Sequence, residues 1–135
     1  MFVLDCSVAL SWCLPDEVDD YADKALDLLT HQQAMVPGVW HLEIMNVLLV
    51  AQRKGRINAK DTALILQTLA RLPVQTDKRE MSMTNKDLLA LAHRHQLSSY
   101  DASYLYLAQR EQVPLATLDK KLQQVAHDLD LFLHA

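Results

Sequence analysis

Chain breakers are scarce in this sequence of 135 residues, which has two glycines and four prolines. That scarcity argues against low-complexity segments and long linkers and suits a compact, helix-rich protein. Cysteine is nearly as scarce. Cys6 and Cys13 are too few for a disulfide framework and form no Cys-x-x-Cys pair, so both read as reduced packing residues. No stretch approaches the roughly 20 apolar residues of a membrane-spanning helix, and the N-terminus shows neither the basic region nor the cleavable apolar segment of a secretory signal. A cytoplasmic location is therefore the default expectation. The formal charge of −4 argues against a non-specific DNA coat, which would need a concentrated positive surface. It leaves room for a nucleic-acid enzyme, because a divalent metal reverses the sign of an acidic site.

Half of the residues are hydrophobic, enough for one core, and residues 1–135 are read as a single domain. The stretch Phe2-Val3-Leu4-Asp5-Cys6-Ser7 opens the chain with a short apolar run that ends in a carboxylate, followed two residues later by a hydroxyl. It reads as a strand covered on both faces that delivers Asp5 to the sheet edge, where parallel α/β sheets bind ligands. Val113-Pro114-Leu115-Ala116-Thr117-Leu118-Asp119 repeats this grammar, with a helix expected from Lys120 to His127 and a last short strand within residues 129–133.

Between these ends strands alternate with helices. A short helix is expected from Val8 to Cys13, then one opening at Asp16-Glu17 with Asp19, Asp20 and Asp23 facing solvent. Ala34 to Pro37 reads as a strand, followed by a long helix from Val39 to Lys54 that Gly55 stops. This helix is apolar almost all round, so it should be central or shared with a partner, and Trp12 and Trp40 read as exposed contact residues. Asn58 and Asp61 open a helix running to about Leu72 with Ile65, Leu66, Leu69 and Leu72 on one face, before a weak strand at Val74-Gln75-Thr76. Thr84 to Asp87 has capping-box spacing ahead of a helix through His95, and Ser98 to Asp101 has it again.

The alternation implies parallel β-α-β units with helices on both faces of the sheet. Four carboxylates then invite attention. Asp5 and Asp119 end strands, while Glu43 and Asp101 project from helices, and neighbouring strands would bring all four into one cleft. Each has an ordinary alternative: Asp5, Asp101 and Asp119 suit helix caps, and Glu43 suits a wet helix edge. Two carboxylates about 4 to 5 Å apart repel by on the order of 3 to 4 kcal/mol at an effective dielectric near 20, so a meeting of four requires protons or a cation. Hard oxygen donors select Mg²⁺ or Mn²⁺.

Taken together, Leu4-Asp5-Cys6-Ser7, Val36-Pro37 with Leu42-Glu43-Ile44 and Asn46-Val47-Leu48, Tyr100-Asp101-Ala102 with Leu105 and Ala108, and Leu115 to Asp119 with Leu122 resemble the PIN-domain family. Within it the likeness is to the VapC-type toxin ribonucleases, and it spans essentially the whole chain. The resemblance implies a three-layer α/β/α fold with a mostly parallel sheet and Mg²⁺- or Mn²⁺-dependent hydrolysis of RNA phosphodiesters by an endoribonuclease. It implies Asp5, Glu43, Asp101 and Asp119 as catalytic residues, with Asp5, Asp101 and Asp119 holding metal and Ser7 and Thr117 in support. It also implies a homodimer and a cognate VapB-type antitoxin. Some relatives carry a further acid soon after the last of these positions, where this chain has Lys120 and Lys121, which leaves one or two metals open.

Other readings fare worse or lie in another class. His41-Leu42-Glu43 matches the His-x-Glu of zinc deaminases, whose Pro-Cys-x-x-Cys half is missing, and His93-x-His95 lacks companion ligands. A haloacid-type phosphatase would place a second Asp where Ser7 stands, and a receiver domain needs a central Asp that the third strand does not offer. The alternative of a different class is a catalytically inactive α/β interaction module whose acids are all caps, and metal binding separates it from the nuclease.

Overall fold

A computed structural model describes residues 1–79 and 85–135. In chain order its elements are β1 (Phe2–Leu4), α1 (Cys6–Cys13), α2 (Asp20–Leu28), β2 (Ala34–Val36), α3 (Val39–Arg53), α4 (Ala59–Ala70), β3 (Val74–Thr76), α5 (Lys86–His95), α6 (Ser99–Glu111), β4 (Leu115–Ala116) and α7 (Lys120–Asp128). The strands form one parallel sheet in the order β3-β2-β1-β4. β1 lies inside it, with Phe2 and Val3 against Ala34 and Met35, and Val3 and Leu4 against Leu115 and Ala116. Successive side chains of a strand point to opposite faces, and Phe2, Val3 and Leu4 are each 0% exposed, so both faces of β1 are covered. This is the three-layer α/β/α arrangement, and the expected strand pattern of the first and last apolar runs holds.

Short strands suffice because the helices carry the packing. α6 packs on β1 and β4, and its Tyr104, Leu105, Leu107 and Ala108 are buried in the main core. Asp77, just past β3, pairs with Arg110 of α6 through two contacts of 2.8 and 3.0 Å, which ties the outer edge of the sheet to that helix. Helix ends follow local chemistry. Asn58 and Asp61 form a reciprocal capping box at 2.8 and 3.0 Å, and Gly55 takes φ +74° after α3, a backbone region that glycine enters without steric cost.

Several sequence expectations need correction. α2 begins at Asp20 rather than at Asp16-Glu17, because Asp19 accepts the Ala22 N–H at 3.0 Å and serves as the cap. Asp16 instead pairs with Arg56 at 2.7 Å, and the Glu17 carbonyl accepts the Ser11 hydroxyl, so this stretch is a turn. Trp40 is buried and Trp12 half-buried, its indole N–H donating to the Ala22 carbonyl at 2.7 Å, so neither indole is an exposed contact. Leu66 faces outward while Ile65 and Leu69 turn in. The last strand reduces to one parallel bridge between Leu115 and Phe132. Thr84 lies outside the described residues; the cap of α5 is Asn85, whose side chain accepts the N–H groups of Asp87 and Leu88.

The apolar helix α3 is two-sided. Trp40, Ile44, Leu48 and Ala51 face the core, whereas Leu42 is 65% exposed and Met45 and Leu49 are nearly half so. Leu48→Ala should destabilise the protein by about 2 to 5 kcal/mol through the cavity it leaves, and Leu42→Ala by under about 0.5 kcal/mol. Urea unfolding of the two variants checks this; equal losses would mean the outer face is packed as well.

Candidate active site

Asp5 occupies the N-cap position of α1 but makes no side-chain cap bond. Its carboxylate turns inward, is 4% exposed, and accepts two hydroxyl donors on Oδ2, Ser7 Oγ and Thr117 Oγ1, each at 2.7 Å. The same hydroxyls accept backbone N–H groups from the far end of the chain. Leu118 N–H reaches Ser7 Oγ at 3.0 Å and Asp119 N–H reaches Thr117 Oγ1 at 3.1 Å. With the Asp5 N–H donating to the Ala116 carbonyl at 3.0 Å, the ends of β1 and β4 form one hydrogen-bonded unit.

The remaining acids come from three helix starts. Glu43 lies in the second turn of α3, half-buried, and accepts the Tyr104 hydroxyl on Oε1 at 2.5 Å. Asp101 lies in the first turn of α6, where Ser98 is the cap and accepts the Asp101 N–H at 3.0 Å, so the Asp101 carboxylate is not itself the cap. Asp119 does cap, accepting the Leu122 N–H at 2.9 Å, while standing at the exposed margin of the group. Burial thus grades from Asp5 at the floor, through Glu43 and Asp101, to Asp119 at the rim.

The charges are coupled. Burial raises the pKa of Asp5, opposed by the hydroxyls of Ser7 and Thr117 and by the Cys6 N–H, and the charge of Asp119 raises it further. Burial raises Glu43 as well; the Tyr104 hydroxyl works the other way, and the charges of Asp5 and Asp101 add to the rise. Asp101 is raised by burial and then by Asp119 and Asp5, with Ser98 and Lys121 opposing. Three of the acids are therefore costly to ionise together, the condition that a bound cation relieves.

Carboxylate and hydroxyl oxygens are the donors that Mg²⁺ and Mn²⁺ accept, so the residues present fit a hard divalent ion. Among the described residues one group brings three donor atoms within 4.8 Å of one another, and it consists of Asp5, Cys6 and Glu43. Asp101 and Asp119, expected beside Asp5 as metal-holding residues, are linked to it electrostatically and stand outside that group. His41 points elsewhere, its Nε2 2.8 Å from Thr76 Oγ1.

Two residues of this centre escaped the sequence reading. Tyr104 is fully buried and orients Glu43; its position three residues after Asp101 on α6 was the available signal. Cys6 was read as packing, although its place directly after Asp5 put it at the strand edge.

A parallel sheet between helix layers, with a buried aspartate and further acids at its carboxyl edge, makes an α/β/α protein whose acidic cleft has donors that fit a divalent metal. The chain belongs to the PIN-domain family, whose description, PIN domain, matches residues 2–128. It is 25% identical over 122 residues to Ribonuclease VapC3 of Pyrobaculum aerophilum, covering 90% of this chain and 92% of that protein. It also superposes on the crystal structure of PAE2754 from Pyrobaculum aerophilum with a TM-score of 0.68 and 22% identity, covering 91% of this chain and 77% of that one, a likeness of fold.

Folded-state pKa values above the unfolded ones make ionisation cost stability. The contribution of Asp5, Glu43 and Asp101 is therefore most favourable below the ordinary carboxylate range and is lost as pH rises through the raised values. In EDTA, Asp5→Asn should raise the thermal midpoint at pH 7 by several degrees and flatten its pH dependence, since the amide oxygen still accepts from Ser7 and Thr117. An unchanged midpoint and slope in differential scanning fluorimetry would show that the carboxylates do not strain one another.

Proposed function

We propose that residues 1–135 act as a single PIN-like domain, a metal-dependent endoribonuclease that hydrolyses RNA phosphodiesters as the toxin of a toxin–antitoxin pair. The observation that carries this reading is Asp5: a carboxylate at the end of a fully buried strand, held by two hydroxyls, its pKa raised by burial and then by the charge of Asp119, rather than spent on a helix cap.

In this reading Asp5, Asp101 and Asp119 hold Mg²⁺ or Mn²⁺. The ion supplies positive charge for the phosphate oxygens and acidifies the attacking water. Ser7 and Thr117 fix the Asp5 carboxylate, so the site needs little reorganisation as charge develops. Glu43 orients the attacking water and takes its proton; burial raises its pKa above the ordinary glutamate value, which makes it a stronger proton acceptor, and the Tyr104 hydroxyl on Oε1 sets its orientation. Asp119, exposed at the rim, would hold an ion on the side open to an RNA backbone. No covalent enzyme intermediate is required.

The partners follow from the same resemblance. The exposed Leu42, Met45 and Leu49 of α3 and Leu64 and Leu66 of α4 support a surface that another chain covers, consistent with a homodimer and a VapB-type antitoxin in the cytoplasm. Those apolar residues would serve a catalytically inactive interaction module equally well, so metal and RNA decide between the readings.

Purified, partner-free protein should cut total cellular RNA in Mg²⁺ or Mn²⁺ and not in EDTA. Asp5→Asn and Asp101→Asn should each lower the rate by about 10²-fold or more, the equivalent of a few kcal/mol of lost charge stabilisation. Full activity in either variant refutes its assignment. A metal-induced thermal shift without cleavage would mean the RNA target is missing, and no shift in either metal would favour the interaction module.

A further inference from the structure

The scheme above gives Cys6 no task, yet its thiol sits inside the acidic centre. It follows Asp5 directly, is half-buried at the start of α1, and lies beside the Asp5 and Glu43 carboxylates. Its Sγ and one oxygen each from Asp5 and Glu43 lie within 4.8 Å of one another. Three donors about 2.0 to 2.3 Å from a shared four-coordinate ion stand about 3.3 to 3.8 Å apart, so side-chain shifts of up to about 1 Å would place all three on one ion. Both hydroxyl bonds to Asp5 fall on Oδ2 and neither uses Oδ1. Cys13, the other thiol, closes the same helix, and burial alone acts on it, which makes it an internal control.

We propose, resting on the reading of this centre as a divalent-metal site, that Cys6 supplies a thiolate ligand to a soft divalent ion at Asp5, with Glu43 as third donor in place of its role toward water. The sulfur–metal bond forms as the thiol proton passes to solvent, and no oxidant or reductant takes part. A carboxylate oxygen is a hard donor that serves Mg²⁺ and Mn²⁺, whereas thiolate sulfur is soft and adds little to their binding but much to that of Zn²⁺, Co²⁺ or Cd²⁺. Three protein donors with one position left open is also the pattern of a four-coordinate zinc site that keeps a place for water or substrate. The centre thereby discriminates among divalent ions by Cys6, and Zn²⁺ or Co²⁺ competes with Mg²⁺ for the place next to Asp5.

Co²⁺ reports this directly, because a cobalt–thiolate bond produces a near-ultraviolet charge-transfer band that carboxylates do not. The full chain, freed of partner and metal, is titrated with Co²⁺ under reducing, oxygen-free conditions, with calorimetry on the same samples. The wild type and Cys13→Ser should develop a saturable band. In Cys6→Ser the band should vanish and Co²⁺ affinity should fall by at least about tenfold, with a smaller loss for Mn²⁺. Should Cys6→Ser fail to fold, alkylation of the wild type read by mass spectrometry replaces it, and Zn²⁺ should protect Cys6 and not Cys13. Saturable Co²⁺ binding without the band, a band that survives in Cys6→Ser, or Cys6 alkylated equally fast with Zn²⁺ overturns the thiolate ligand. Mn²⁺-dependent RNA cutting by the same wild-type preparation reports separately on the nuclease reading, and absence of any divalent-ion binding overturns both.

Discussion

A carboxylate buried at the end of the central strand is the constraint on which the rest of the structure depends. Burying an ionised carboxylate costs several kcal/mol unless hydrogen bonds or counter-charges compensate it. Asp5 is compensated by two hydroxyls separated by most of the chain, Ser7 two residues away and Thr117 112 residues away. Each hydroxyl in turn accepts a backbone N–H from the segment leaving β4. The last strand is thus held in register with the first by the same hydrogen bonds that keep Asp5 ionisable, and what stabilises the sheet edge also orders the site.

Glu43 shows the same economy on the helical side. α3 must bury Trp40, Ile44, Leu48 and Ala51, and the face carrying Glu43 lies beside that stripe, close enough for the Tyr104 hydroxyl to reach it from α6. The helix that supplies core also carries a half-buried acid into the cleft. Its remaining apolar residues, Leu42, Met45 and Leu49, are left in water, a standing cost that a covering chain would remove. Burial first, and neighbouring acids after it, raise the pKa of Asp5, Glu43 and Asp101, so the metal-free fold carries a cost of ionisation concentrated in this cleft.

The mixture of donors gives this centre its individual character. Carboxylates and hydroxyls alone would favour hard ions, and sulfur beside them changes which metals compete. Lys121, whose charge opposes the rise at Asp101, follows Asp119 by two residues, so the rim of the cleft is less negative than its floor. A floor of buried acid beneath a rim of mixed charge is an arrangement that can admit a polyanion.

Much of this was legible in the linear order of residues. Apolar runs ending in Asp5 and Asp119 marked parallel strands, the spacing of Asn58 and Asp61 marked a cap, and Gly55 marked a helix stop, because short-range sterics and hydrogen bonding act within a few residues. Local signals also misled. Asp16-Glu17 looked like a helix start until Arg56, 40 residues on, captured Asp16, and Trp40 looked exposed because a helix apolar all round does not say which side faces the core. Sequence by itself determined the element types, the alternation that requires a parallel sheet, and the residues able to do acid chemistry. Only the tertiary structure decided that Asp5 turns from its cap position to Thr117, that Tyr104 meets Glu43, and that Cys6 joins the acids. Those contacts are made between atoms far apart along the chain, and their energies exist only once the sheet has brought its strand ends together.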